Sequence, residues 1–243
     1  MNPFGEPLYA TLLVLIVTNT RVILAADSRK NTLHEDGTRQ SGSMDKIFRS
    51  RDCYYAVSGF SSTEDGSFSL QRIIHKNLMR YPGFSIAIQH LAKAVATELK
   101  AYLAHLKKES PELFARLLRD SHSGGEIVLV KREAGVPTAA LVNYKVISHE
   151  EVKVVVDTWS IDSTHINGGD DCFWRAIGHT AFGDKAMPSV KEVAGNPVAA
   201  AKRMLEEGAR AHPQWVGAPF HMVELTAEGE RSIGKSSRAP GHL

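Results

Sequence analysis

Residues 11–29 read TLLVLIVTNTRVILAADSR, from Thr11 to Arg29. Two apolar runs, Thr11–Asn19 and Arg21–Asp27, flank a short polar turn at Asn19–Thr20, a spacing that predicts a β-hairpin. The second run ends in Asp27, directly after five apolar residues. An ionised carboxylate at the edge of a core strand is costly unless a partner compensates it. The hairpin therefore raises the question of which cation Asp27 faces.

Outward from the hairpin, Ser28–Met44 is polar and reads as a loop. Asp45–Ser50 (DKIFRS) and Cys53–Phe60 (CYYAVSGF) read as short strands with a turn at Ser50–Asp52. Ser/Thr/Asp capping candidates then open a predicted helix over 62–81, with Leu70, Ile73, Ile74, Leu78 and Met79 at helical spacing. Pro82–Gly83 breaks it. A second helix is predicted over 85–108 from Ile88, Leu91, Val95, Leu99, Leu103 and Leu106, and 111–120 either extends it or forms a short helix. Strands are predicted at Glu126–Arg132, Thr138–Val146 and Glu151–Trp159, helices at 171–182 and 197–211, and a last strand at Phe220–Thr226. Segregated runs of strands and helices predict an α+β domain in which antiparallel sheets stack face to face with helices outside.

Bulk properties narrow the function classes. Of 243 residues, 43% are hydrophobic and 23% charged, enough apolar content for one packed domain. A net charge of +2 gives no electrostatic case for nucleic acid. No apolar run approaches the roughly 18 residues that a membrane span needs. Cys53 and Cys172, far apart in sequence, point away from a disulfide framework and toward a cytoplasmic setting. The 11 histidines show no metal-ligand spacing, and no cofactor motif is present, so neither metal nor cofactor is expected. The tail 234–243 is polar and expected to be flexible.

In order and spacing, these residues resemble the proteasome-type N-terminal nucleophile (Ntn) hydrolases. That family includes proteasome β-subunits and the bacterial HslV-like and Anbu-like peptidases. The resemblance covers about 10–231. It rests on the hairpin with its terminal Ala-Asp and an arginine two residues later, on DKIF, and on AVSGF. It implies a four-layer αββα sandwich, a leader over 1–10, and a single domain over 11–233. It places Thr11 as nucleophile, Asp27 and Lys46 as its charged support, Gly59 as an oxyanion-hole residue and Arg29 as a supporting residue. It also implies autoprocessing, a peptide or unfolded-protein substrate and a homo-oligomeric ring, with an ATPase partner left open.

The chemistry accounts for these residue types independently. The hydroxyl of an N-terminal threonine attacks an acyl carbon, and its own α-amino group, titrating near 8, serves as base. A lysine beside it needs a counter-charge when buried, and Asp27 supplies one. Three features depart from the family pattern. Ala10, not glycine, precedes Thr11. NGGDDCFWRAIG (Asn167–Gly178) stands where the family has a serine-bearing turn, with Asp170 and Asp171 either replacing the missing polar groups or capping the helix expected from Cys172. Gly217 and Ala218 match a paired glycine before the last strand, but Pro213, or His212 if the alignment slips by one, stands where the family has an aspartate. If the leader stays, the chain is instead a non-catalytic subunit; a small-amide hydrolase on the same scaffold is the third alternative.

Overall fold

The computed structural model describes residues 11–33, 39–63, 66–112, 114–115, 124–148, 151–169, 171–178 and 187–234. The expected leader, Asp170, most of 111–120 and all of the tail except Gly234 lie outside the described residues.

Strands β1 (Leu12–Val17) and β2 (Arg21–Ala26) form the predicted hairpin, in register from Leu13↔Ala26 to Val17↔Val22. Thr18 closes the turn: its N–H donates to the Arg21 carbonyl at 2.9 Å, and its hydroxyl oxygen accepts from the Arg21 N–H at 3.2 Å. The pair sits centrally in a five-stranded antiparallel sheet of order β10-β1-β2-β11-β12, completed by β10 (Phe173–Gly178), β11 (His221–Thr226) and β12 (Glu230–Ile233). Burial on both faces explains why the hairpin runs are continuously apolar and do not alternate.

A second five-stranded antiparallel sheet has the order β5-β6-β7-β8-β9: β5 (Phe48–Ser50), β6 (Cys53–Gly59), β7 (Gly124–Glu133), β8 (Val136–Ser148) and β9 (Lys153–Asp162). Here alternation sorts the side chains. Tyr54, Ala56, Val128, Val130, Ala139 and Leu141 meet Leu13, Leu15, Leu24 and Val223 of the first sheet in one buried cluster. Cys53, Tyr55, Ile127, Leu129 and Val142 face the other way, onto helices α1 (Leu70–Arg80) and α2 (Phe84–Glu109). On the outer face of the first sheet, Leu12, Val14, Ile16 and Ile23 pack against α3 (Val190–Gly195) and α4 (Pro197–Ala211). The protein is thus α+β, with two antiparallel sheets and helices outside them. No helix among the described residues is long and apolar enough to cross a membrane.

Helix boundaries follow local chemistry. α1 begins only after Ser69, whose hydroxyl accepts the Arg72 N–H, because the preceding residues close a turn in which Thr63 and Phe68 exchange backbone and hydroxyl hydrogen bonds. α4 opens with an Asn196 cap and Pro197 in the first turn.

Three expectations need correction. The polar stretch after Asp27 contains a separate hairpin, β3 (Arg29–Leu33) and β4 (Arg39–Ser43). β12 follows the strand expected to be last. The helix expected over 171–182 is strand β10 up to Gly178. Its Phe173 and Ile177 face the inter-sheet core while Trp174 and Ala176 face the helices, a period of two that the free edge of β1 selects. That strand also removes the helix-capping reading of Asp171.

Candidate active site

Asp27 follows β2 and has no solvent exposure. Its carboxylate is saturated. Oδ1 accepts the Leu12 N–H at 2.9 Å and the Lys46 ammonium at 2.7 Å. Oδ2 accepts the Arg29 N–H at 3.0 Å and the Gly217 N–H at 3.4 Å. Two bonds on each oxygen fill the capacity of an ionised carboxylate, which can accept only. The Asp27 N–H in turn donates to the Leu12 carbonyl at 3.2 Å. One side chain thereby ties together the start of β1, the end of β2, the irregular segment 44–47 that precedes β5, where a strand from Asp45 was expected, and the loop before β11. The cation the hairpin called for is Lys46, 19 residues away in sequence.

Lys46 is itself buried, with 6% of its side chain exposed. Burial pushes its amine below the ordinary lysine value, and the Asp27 carboxylate opposes that shift. The segment carrying it is pinned by the Met44 N–H, which donates to the Ser28 carbonyl at 2.8 Å. The Ser28 N–H donates to the Gly217 carbonyl at 3.1 Å, so residues 27–29 are fastened to the chain near Gly217 through both Asp27 and Ser28.

Thr11 is 2% exposed and immediately precedes the Leu12 N–H held by Asp27. Its carbonyl lies hard against Gly178 at the end of β10: a Cβ on Gly178 would sit 1.8 Å from the Thr11 oxygen and 3.0 Å from the Ser58 hydroxyl. The first residue of the hairpin, Ser58 of β6 and Gly178 of β10 therefore converge where the two sheets meet. Gly59 follows Ser58 with φ +93°, and a Cβ there would lie 2.5 Å from the Gly124 carbonyl, so only glycine fits. Arg29 contributes its backbone to Asp27 and sends its guanidinium to the Pro213 carbonyl at 2.5 Å. Gly217 leaves room for that guanidinium: a Cβ there would be 2.8 Å from Nε.

Asp171 is not brought to this cluster. β10 runs antiparallel to β1 from Phe173↔Val17 to Leu12↔Gly178, so Asp171 lies at the opposite end of the sheet from Thr11, exposed, accepting the Cys172 N–H. Sequence reasoning passed over Ser58, Gly178, Asp45 and His221. The last two form a second pair beside the first: His221 Nδ1 lies 3.0 Å from Asp45 Oδ1. The available signals were a histidine inside the apolar FHMVELT strand and an acid directly before Lys46.

A cavity of about 310 Å³ opens elsewhere, between α1 and α2, lined by Lys76, Arg80, Tyr81 and His90 among others, and it includes none of the residues above. Among the described residues no cluster of three His, Cys, Asp or Glu side chains could hold a metal ion. A scan of the chain against protein-family models finds no match, and a search of curated proteins finds no relative.

Proposed function

We propose that the chain is a threonine-type Ntn hydrolase with the four-layer proteasome-like fold, acting on peptide bonds after loss of residues 1–10. The observation that carries this reading is the buried Asp27–Lys46 pair, bonded through Asp27 to the N–H of Leu12, the residue after Thr11. Once freed, the Thr11 α-amine takes the hydroxyl proton as the oxygen attacks the acyl carbon. The proton passes to the departing amine, leaving an ester on Thr11. Water then hydrolyses the ester and restores the hydroxyl. The Lys46 ammonium favours the unprotonated α-amine by charge repulsion, and the glycine N–H of Gly59 is assigned to the developing oxyanion. Confinement of such a site within a homo-oligomeric ring would protect other proteins from it.

Thr11 is buried in the full-length chain, which favours a second reading, a non-catalytic subunit that keeps its leader. Intact mass together with turnover of fluorogenic peptides separates the two. The hydrolase reading expects loss of residues 1–10 in the wild type. It also expects a full-length, inactive Thr11→Ala variant that stays folded, at a cost on the order of 1 kcal/mol. Peptide cleavage by Thr11→Ala at the wild-type rate would refute it.

A further inference from the structure

We infer that the Asp45–His221 pair is a positioning device for Lys46, with His221 a positioning residue of the proposed site. Asp45 and Lys46 are consecutive, and each docks on the end of a neighbouring strand: Lys46 on Asp27 after β2, Asp45 on His221 at the start of β11. β2 and β11 are paired, with His221 opposite Ala26, the residue before Asp27. The two contacts therefore lie side by side and fix two successive residues of the 44–47 segment. The Met44 N–H on the Ser28 carbonyl supplies a third anchor.

The imidazole has the form of a device for this task. Only 10% of its side chain is exposed, against 56% for Asp45. Nε2 is buried and has no hydrogen-bond partner among the described residues. With Nδ1 facing a carboxylate, the Nδ1–H donates to it, and Nε2 is left unpaired. An apolar side chain in this row, beside Ala26 and Leu13, would leave no orphan. What the histidine offers over an apolar residue is the Nδ1–H directed at Asp45. A side chain four carbons long reaches a fixed carboxylate through one ion pair only if its backbone is held, and the Asp45–His221 bond holds it one residue away.

This inference rests on the assignment of Lys46 to the proposed site, but its test needs no turnover. The measurement is the rate at which an amine-acylating reagent modifies Lys46 in the full-length protein, read by peptide mass spectrometry. In His221→Leu the rate should rise roughly tenfold or more, the scale of lost coupling in a buried pair. In His221→Asn, whose amide can donate as Nδ1–H does, it should stay within about twofold of wild type. If His221→Leu fails to fold, Asp45→Ala removes the same contact from its half-exposed side and should show the same rise. Equal protection of Lys46 in wild type, His221→Leu and Asp45→Ala would overturn the inference. Peptide cleavage that survives Thr11→Ala would refute the hydrolase reading alone and leave this result standing.

Discussion

The Asp27–Lys46 pair can be tested by a double-mutant cycle of Asp27→Asn, Lys46→Met and the double variant. Asp27 has no exposure and accepts hydrogen bonds from three backbone N–H groups and the ammonium. Each carboxylate oxygen serves two donors, so an asparagine amide nitrogen opposes donors in either orientation. Asp27→Asn should cost about 3–5 kcal/mol, the scale for removing one member of a buried pair. Lys46→Met leaves the carboxylate its three N–H donors and replaces an aliphatic stem by one of similar length, so its cost should fall at or below the low end of that range. The double variant removes both charges and should cost less than the sum. Expected coupling is above about 1 kcal/mol. Urea denaturation followed by circular dichroism gives the four stabilities, provided the dependence on urea keeps one slope across the set. Additivity within about 0.5 kcal/mol would refute the pair as an energetic unit and remove the main physical support for Thr11 as nucleophile.

Gly178→Ala should destabilise by roughly 3 kcal/mol or more, since φ is +93° and the new Cβ would meet the Thr11 carbonyl at 1.8 Å; an unchanged thermal midpoint would contradict that contact. Burial pushes the Cys53 thiol from an ordinary 9.0 up to about 12. Its contribution to stability is whole below pH 9.0 and is lost as pH rises through about 12, so wild type should lose a few kcal/mol more than Cys53→Ala across that window. Coincident pH slopes for the two proteins would refute it. Under the ring proposal, sedimentation at micromolar concentration should show a species well above the 26.6 kDa of one chain, and a monomer alone would count against the ring.

The sequence alone determined whatever depends on near neighbours. The hairpin was legible because Leu12–Val17 and Val22–Ala26 are apolar throughout, as strands covered on both faces must be. α2 was legible because Ile88, Leu91, Val95, Leu99, Leu103 and Leu106, all buried, recur every three or four positions. The need of Asp27 for a cation was legible as an electrostatic cost. Tertiary structure decided whatever depends on which distant segment closes against which. FWRAIG, residues 173–178, carries a weak local signal and became a strand because the open edge of β1 offered it hydrogen-bond partners. That single change of element carried Asp171 to the far end of the sheet and brought Gly178 against Thr11. The fourth donor to Asp27, the Gly217 N–H, lies 190 residues away, and His221 meets Asp45 across a comparable separation. No local period encodes such meetings. They arise where the ends of strands β2 and β11, the loop before β11 and the 44–47 segment are brought together, and their hydrogen bonds form only after the long loops between them have closed.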